Sequence, residues 1–483
     1  MGECSCDPRT KKYSRLYAFL SFALICFYMV TELVFELWYR VAANYGLFLI
    51  VSFIALSFFL RFFSSSREEK CVFAFALWLY ITRALNGDVF LDMEFYHVVR
   101  TVLFSISFIC VGFVLDSADR KRFLCIVCAV VCLYWFVLAA VGIYATLSFQ
   151  RIALPPADMS VGIAYISGNF QLSVDNIHRN VSGVWFALAV IMMAILFFRC
   201  KNRFWRIAVC IAALVFYVAA ALSFCRAAQI GLAVALTMLV MLLLLRHFAS
   251  KGTRFKALLC AAAILCLPVF YKSYGLITQG CGLISGTFFS QAQSLYIASL
   301  PVEEGEGEAE ETPAEEADAE ESSVFAESRG MDSVMALGGR VPLWKSGFIC
   351  LQQESSRLIK GELLSRYMDT VAAICKRIAP DNGASNGQMH NYILDALLLT
   401  GIPGALLLIL FTLMVLWKML KVFFSDAASF ENKLLTLPLA FFFMDNLMEA
   451  HIFRYALVNS ILFFLICGIF LAESYELFPG KKR

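Results

Sequence analysis

Long apolar runs recur along the whole chain and limit what it can fold into. A run of about 20 apolar residues crosses the roughly 30 Å hydrocarbon core of a bilayer as a helix. Inside lipid, only helices and closed barrels satisfy their own backbone hydrogen bonds. The charged fraction is 16%, whereas soluble domains average about a quarter charged residues. We therefore predict an all-α polytopic membrane protein.

The apolar runs predict about twelve transmembrane helices. Their expected bounds are 16–35, 43–60, 71–87, 99–115, 123–147, 180–198, 206–224, 227–245, 255–272, 391–417, 434–453 and 455–472. Residues 1–272 then form a membrane domain with spans 1–9, and residues 391–483 form a second one with spans 10–12. A large loop, 273–390, separates them.

The basic residues of the connecting segments predict the orientation of these spans. KKYSR, RFFSSSREEK, RHFASKGTRFK and the C-terminal KKR each carry three or four Lys or Arg, whereas the intervening short connectors carry one or two. Cytoplasmic connectors are the ones enriched in Lys and Arg. We therefore expect a cell-membrane protein with both termini in the cytoplasm, and we expect 148–179 and 273–390 on the outer face.

The larger outer segment changes character along its length. PVEEGEGEAEETPAEEADAEE, residues 301–321, holds eleven acids and no base, a composition typical of disorder. Apolar residues then recur at helical spacing from Val341 to Leu351, which predicts an amphipathic helix. We expect helical structure over residues 338–380.

Several polar side chains are predicted to gather at the outer membrane surface. Arg226 follows a very short connector, Arg340 begins the expected outer helix, and His390 with Asn391 opens the tenth span. His178, Arg179 and Asn180 lie at the same level before the sixth span. The topology alone places these groups at one depth.

Arginine and histidine together suit one kind of chemistry. A guanidinium stays charged and binds phosphate oxygens through two parallel hydrogen bonds. A histidine, with an ordinary pKa of about 6.5, accepts a proton near neutral pH. A lipid-linked diphosphate would place its anionic group at this depth and its tail in the bilayer. Each residue also has a structural interpretation: Arg226 as a snorkelling flank, Arg340 as a partner of the acidic tract, and His390 as a helix cap.

Four stretches of this sequence resemble the O-antigen ligase and O-antigen polymerase superfamily. They are SFCRAAQIGLAVAL, GGRVPLWKSGF, HNYILDALLLTGIPGALLLIL and, more loosely, GNFQLSVDNIHRNVSG. The resemblance covers roughly residues 165–417 and implies a GT-C-like membrane fold. Cys225 stands where that family more usually has serine beside the first arginine, and the acidic insert is not a feature of the family.

The resemblance implies an inverting, metal-independent glycosyltransferase without a cofactor. Its donor would be a glycan on undecaprenyl diphosphate, its acceptor a saccharide or lipid-linked chain, and its surroundings membrane lipid, with no nucleic acid involved. Arg226 and Arg340 would bind the diphosphate, and His390 would activate the acceptor hydroxyl. The expected substrate-binding residues are His178, Arg179, Asn180, Trp344 and Asn391. The acceptor is left open between a polymerase, which we favour as the commoner activity, and a ligase.

Two other functions compete with this interpretation. Asp92 and Glu94, in GDVFLDMEFYH, are spaced to share a divalent ion and would suit a metal-dependent glycosyltransferase. A transporter or flippase would instead use intramembrane polar groups, of which this sequence offers Asp445, Asn446, Glu449 and His451. Pro403 should kink the tenth span, and we expect the kink to open a crevice for lipid.

Overall fold

The computed structural model describes ten stretches of the chain. These are residues 8–33, 52–57, 66–87, 105–154, 159–166, 169–174, 179–299, 340–379, 389–449 and 457–478. The acidic tract 301–321 and most of the predicted span 43–60 lie outside the described residues, and so do Asp92, Glu94, His178 and His451.

The first part of the described chain is helical apart from one small sheet. Its helices are α1 (Pro8–Leu33), α2 (Arg67–Leu85), α3 (Ile109–Val114), α4 (Ser117–Leu147), α5 (Arg179–Arg199), α6 (Arg203–Leu222), α7 (Arg226–His247), α8 (Thr253–Ile264), α9 (Cys266–Phe288) and α10 (Ser290–Ser299). Short helical turns also occupy residues 52–57 and 105–107.

The remaining described helices form the later part of the outer segment and the last part of the chain. They are α11 (Arg340–Gln352), α12 (Arg357–Lys360), α13 (Leu364–Ile378), α14 (Tyr392–Phe424), α15 (Phe430–Leu434), α16 (Thr436–Met448) and α17 (Leu457–Leu477). The first three of these fall in the region, 338–380, for which the sequence predicts helices.

Seven helical segments of the described chain are long and apolar enough to cross a membrane. They are α4, α5, α6, α7, the consecutive pair α8–α9, α14 and α17. The protein is thus a helical membrane protein. Of the other five predicted spans, 16–35 falls on α1, whose apolar stretch is Tyr13–Met29, and 99–115 and 434–453 fall on short helices. The span 71–87 falls on α2 with its charged start, and 43–60 lies mostly outside the described residues. The total of about twelve therefore stays a prediction.

A three-stranded antiparallel sheet follows α4, where the sequence predicts only an outer connector. Its strands are β1 (Arg151–Leu154), β2 (Met159–Ile166) and β3 (Asn169–Val174), in the order β1-β2-β3. Val161, Ile163 and Leu172 are fully buried, and Gln171, on the opposite face of β3, is 1% exposed. Apolar and polar residues alternate along β3, which is the period of a strand, although both of its faces are covered. The all-α prediction is therefore right for the described spans and incomplete for this outer segment.

Helix α14 is broken in its N-terminal third. Gly401 has φ 69° and ψ −173°, which is not helical, and Pro403 follows it. A Cβ at Gly401 would lie 2.3 Å from the Ile359 carbonyl oxygen of the α12 segment. Glycine is required here both by the positive φ and by this close approach. The kink predicted at Pro403 is thus present, and the α12 segment is packed against it.

Carbonyl groups just before this break receive hydrogen-bond donors from outside the helix. Pro403 has no N–H to offer the carbonyl four residues earlier, and buried carbonyls that lack a partner are costly. The observed pairs are Glu362 N–H with Leu398 at 2.8 Å, Trp78 Nε1 with Thr400 at 2.8 Å, and Arg83 Nη2 with Leu399. Arg83 Nη2 also donates to the Glu362 carbonyl at 2.6 Å. These contacts fix α12 to α2 and α14.

Polar side chains mark two opposite ends of the bundle. At one end, Asn180 near the start of α5 contacts Glu449, which follows α16. At the other end, Arg199, the last residue of α5, lies 3.7 Å from Glu431. The 21 residues of α5 separate these ends by about 30 Å at 1.5 Å per residue. We call them the Glu449 end and the Glu431 end; which of them faces the cytoplasm stays a prediction from charge.

We predict that Arg83→Leu weakens the protein more than a matched substitution on the surface. Arg83 is 1% exposed, and each buried carbonyl that loses its donor costs about 1–3 kcal/mol. The free energy of unfolding, measured by denaturant titration in detergent, should fall accordingly. Arg366→Leu, at an exposed position on α13, is the control and should stay near the wild-type value. Equal stability of the two variants would contradict the proposed role of Arg83.

Candidate functional site at the Glu449 end

Glu449 lies where α16 ends. Its backbone is extended, with φ −144° and ψ 158°, while its N–H still donates to the Asp445 carbonyl at 2.7 Å. The residue is 6% exposed. A carboxylate in such a sheltered position costs several kcal/mol unless charged or hydrogen-bonding partners compensate for the lost water. The side chains that compensate the Glu449 charge therefore determine which chemistry this end of the bundle supports.

Three side chains from distant parts of the chain meet on the Glu449 carboxylate. Arg340 Nη2 lies 2.9 Å from Oε1, and Asn180 Nδ2 donates to the same oxygen at 3.0 Å. His390 Nδ1 lies 2.6 Å from Oε2. These partners come from α11, from α5 and from the turn before α14. We call Glu449, Arg340, Asn180 and His390 the Glu449 cluster.

His390 adopts a backbone conformation that is rare for a non-glycine residue. Its φ is +50°, in the left-handed region, which costs of order 1 kcal/mol and is found preferentially at functional sites. The side chain remains 28% exposed, so a small molecule can reach the ring. With Nδ1–H donating to Glu449, the other ring nitrogen, Nε2, becomes the proton acceptor. The arrangement orients a basic nitrogen away from the carboxylate.

The turn that carries His390 is held on both sides by side chains. The Trp344 indole N–H donates to the Met389 carbonyl at 2.8 Å. Asn391 caps α14, because its side-chain oxygen accepts from the N–H groups of Ile393 and Leu394 at 3.0 and 3.1 Å. The Asn391 amide nitrogen donates to the Leu447 carbonyl at 3.0 Å. The turn is thus anchored to α11, to α14 and to α16.

Arg340 is the first residue of α11, and only one of its two terminal nitrogens has a partner among the described residues. One of its terminal nitrogens, Nη2, pairs with Glu449. The other, Nη1, is buried and has no hydrogen-bond partner among the residues that the structure describes. A buried guanidinium N–H without a partner is unfavourable. The position therefore suits an anionic oxygen supplied by a ligand.

Arg226 is linked to the cluster through its neighbour Cys225. The Cys225 thiol lies 3.5 Å from the Asn180 carbonyl oxygen, and a Cβ at Gly183 would lie 2.5 Å from the Cys225 Cβ. Cys225 thus occupies a contact between α5 and the start of α7, whereas the Ser223 hydroxyl donates to the Ala220 carbonyl at 2.8 Å. Arg226, the first residue of α7, also interacts electrostatically with Tyr271 of α9.

The structure brings most of the predicted site residues to one place. Asn180, Arg340 and His390 share the Glu449 carboxylate, and Arg226 follows the cysteine that contacts Asn180. Trp344 and Asn391 contact the His390 turn rather than the cluster itself. Arg179 begins α5, but its side chain lies outside the described residues, as does all of His178. The assigned roles, including substrate binding by Trp344 and Asn391, stay predictions.

Glu449 is the central residue that the sequence did not single out for this site. In the sequence it stands among the polar groups that would suit a carrier, together with Asp445 and Asn446. One signal could have identified it: an acidic residue at the outer end of a predicted span, at the depth where Arg226, Arg340 and His390 are expected. A lone carboxylate among cations at a membrane surface would have been a reasonable pairing partner.

In the described ranges, no three His, Cys, Asp or Glu side chains come together as metal ligands. Asp92 and Glu94, the carboxylates of the metal-dependent alternative, lie outside those ranges. Metal independence therefore stays a prediction.

We predict an energetic coupling between Arg340 and Glu449. Removing either partner leaves the other sheltered and unpaired, so the double variant Arg340→Gln, Glu449→Gln should be less destabilised than the sum of the single variants. Contacting residues typically couple by about 0.5–3 kcal/mol. Unfolding free energies in detergent measure this double-mutant cycle.

The control cycle combines Arg340→Gln with Asp426→Asn. The Asp426 side chain is 92% exposed and lies 3.6 Å from Lys256, at the start of the connector to α15. Distant sites add within about 0.5 kcal/mol, so this cycle should show no coupling. A coupling between Arg340 and Glu449 that is no larger than this control would show that their contact contributes nothing.

No family model matches the chain, and no curated protein matches it. The long apolar helices identify a membrane protein, and the resemblance of the four sequence stretches stays a prediction. What the protein does must therefore be inferred from the geometry and chemistry of the Glu449 cluster.

Proposed function

We propose that the protein transfers a glycan from undecaprenyl diphosphate to a hydroxyl group of a saccharide acceptor, with inversion and without a metal ion, at the outer face of the cell membrane. One observation carries this proposal: the Glu449 carboxylate holds an arginine and a histidine together at the end of a membrane bundle. An anion-binding group and a proton acceptor at the lipid boundary are what such a transfer needs.

Two guanidinium groups supply the binding site for the diphosphate. Arg340 Nη1 lies in the cluster without a protein partner among the described residues. Arg226 stands at the N-terminus of α7, where the helix dipole adds partial positive charge. Arginine forms strong, paired hydrogen bonds to phosphate oxygens. Both groups act most strongly on the leaving diphosphate, because its negative charge grows during bond cleavage.

His390 acts as the general base. Glu449 accepts a hydrogen bond from Nδ1–H of His390, which leaves Nε2 to face the acceptor hydroxyl. The negative charge of Glu449 also stabilises the imidazolium that forms when Nε2 takes the proton. A thiol on the neighbouring helix α11 is no rival for this role. Cys350 is buried, and burial raises the pKa of its thiol, which lowers the thiolate fraction.

The reaction is one displacement at the anomeric carbon of the donor sugar. The acceptor oxygen forms a bond to that carbon while the bond between the carbon and the diphosphate oxygen breaks. The electron pair of the broken bond stays on the diphosphate, and the hydroxyl proton moves to His390. Attack from the face opposite the leaving group inverts the anomeric configuration.

An apolar crevice beside the break in α14 supports a lipid-linked donor. It lies between α2 and α14, has a volume of about 450 Å³, and includes Trp78 and Pro403 in its lining. Leu77 and Leu406 in the same wall are 60% and 58% exposed. Exposed leucines on a membrane-spanning surface face acyl chains. The crevice is thus the place where we expect part of a polyprenyl tail.

The acceptor distinguishes two forms of this activity. A polymerase transfers the growing glycan to another lipid-linked repeat, whereas a ligase transfers it to a different saccharide-bearing molecule. Both use the same donor and the same base. No described residue separates them, so the proposal covers both.

A transporter or flippase of a lipid-linked or anionic substrate is the second candidate. Asp445 and Asn446 are both fully buried in α16, and polar groups at membrane depth often mark a transport path. A carrier moves its substrate without changing covalent bonds. The two functions therefore differ in their products.

Product formation tests the proposal directly. Purified protein in proteoliposomes receives a lipid-diphosphate oligosaccharide and an acceptor in the presence of a chelator, and mass spectrometry follows the lipid products. Release of undecaprenyl diphosphate with a longer or transferred glycan supports the transferase. A donor that changes leaflet but stays covalently intact would support the carrier and contradict the transferase.

We predict that His390→Ala stops transfer but leaves donor binding. Loss of a general base lowers the turnover number by about 10²- to 10⁴-fold, whereas the arginines that bind the diphosphate remain. Turnover and donor affinity are measured separately on the purified variant. His247→Ala is the control, because His247 lies in the last turn of α7, far from the cluster, and it should keep wild-type turnover. Lost donor affinity in His390→Ala would instead make His390 a phosphate contact.

We predict that Arg340→Lys and Arg226→Lys each lower transfer about 10- to 100-fold. A lysine keeps the charge but loses the paired hydrogen bonds, and bonds to charged groups contribute about 1.5–3 kcal/mol. Arg246→Lys is a matched control at the opposite end of α7, where Arg246 stacks over the Phe430 ring at 4.7 Å. Wild-type transfer by either test variant would remove that arginine from the site.

A further inference from the structure

A second carboxylate lies behind the His390 turn, and the proposed mechanism does not use it. Asp395 is in the first turn of α14 and is 0% exposed. A carboxylate removed from water is unfavourable unless donors surround it. Leucine would fill the same space at lower cost, so the presence of an acid here calls for a reason beyond packing.

The donors that compensate Asp395 come from two different elements. The Tyr367 hydroxyl, on α13 of the outer segment, donates to Asp395 Oδ1 at 2.8 Å, and Tyr367 is itself fully buried. The backbone N–H of Met389, the residue before His390, also interacts electrostatically with the Asp395 carboxylate. Asp395 therefore connects the outer helix α13 to the turn that presents His390.

Two interactions reach the Met389 peptide groups from opposite sides. The Trp344 indole N–H donates to the Met389 carbonyl at 2.8 Å, while the Met389 N–H interacts electrostatically with the Asp395 carboxylate. The next residue, His390, has the strained φ of +50°. Such a conformation persists only when its surroundings enforce it. Asp395 is one of the groups that enforce it.

Asp395 also acts on His390 through charge. Electrostatic interactions join its carboxylate to His390 and to Glu449. Within the described stretches, the other charged or titratable groups around this turn and Asp395 include Glu449 after α16, Arg340 of α11 and Tyr367 of α13. Arg83 and the Arg357–Glu362 pair lie further along, at the break in α14.

We propose that Asp395 is a positioning residue that holds the His390 imidazole in its working orientation and couples it, through Tyr367, to the outer helix α13. Because Asp395 is fully buried, it does not touch substrate. This inference rests on the proposed function for its catalytic meaning, but the physical link between Asp395 and His390 is testable without any turnover.

The test compares three variants of the full-length protein in detergent: Asp395→Asn, Tyr367→Phe and Thr412→Val. Thr412→Val is the matched control, because it removes a buried hydrogen bond within α14, between the Tyr392 and Thr412 hydroxyls at 2.9 Å, that does not include Met389, His390 or Asp395. Diethyl pyrocarbonate modifies neutral imidazole, and mass spectrometry reports the modification rate of His390 at each pH. Turnover and KM for a lipid-diphosphate donor are measured on the same samples.

Asp395→Asn should shift the half-maximal modification of His390 to lower pH, because asparagine cannot supply the negative charge that the ionised form of Asp395 places near the imidazolium. Turnover should fall about 10- to 100-fold, as is typical when a partner that orients a reactive group is lost, with KM within about twofold of wild type. Tyr367→Phe should lower the pH of half-maximal modification and the turnover number by smaller amounts than Asp395→Asn does. Thr412→Val should change neither quantity.

Wild-type modification and turnover profiles in folded Asp395→Asn would overturn the inference. If that variant does not fold, Tyr367→Phe decides the question in the same way, since it removes a single hydroxyl. Failure of the wild-type protein to consume any donor would overturn the proposed function instead. The His390 modification profiles would then still decide whether Asp395 positions the imidazole.

Discussion

The candidate site depends on one sheltered carboxylate. Glu449 is 6% exposed, and an ionised group in that position must be matched by charged or hydrogen-bonding neighbours. Its neighbours come from residues 180, 340 and 390 of the chain. The need to compensate this single charge therefore brings together the start of α5, the start of α11 and the turn before α14.

A second constraint fixes the outer helices onto the bundle. The break at Gly401 exposes backbone carbonyls, which Arg83, Trp78 and the Glu362 N–H satisfy. Glu362 in turn pairs with Arg357, with Nε 2.8 Å from the carboxylate. An interrupted helix is tolerated within a membrane protein only where neighbours satisfy its free backbone groups. The same contacts anchor the stretch α11–α13, which begins with Arg340, so the break contributes to the geometry of the site.

Part of this arrangement follows from the sequence, and part does not. Membrane topology predicts a common depth for Arg340 and His390, because depth depends only on where spans begin and end. The kink follows from Pro403, a local signal. The pairing of Glu449 with His390 could not be predicted, because a contact between residues 59 apart leaves no periodic pattern in the sequence. The small sheet was missed since apolar alternation over a few residues is weak beside the much stronger helical signal of the spans.

The central claim is that the Glu449 cluster lies at the outer membrane surface, where lipid-linked glycans are used. A cysteine placed at position 390 can be treated with a membrane-impermeant maleimide in intact cells, and mass spectrometry of the digested protein locates the label. Native cysteines then need no replacement. The account predicts labelling at position 390 without permeabilisation. Labelling there only after the membrane has been opened would place the cluster on the cytoplasmic side and contradict the account.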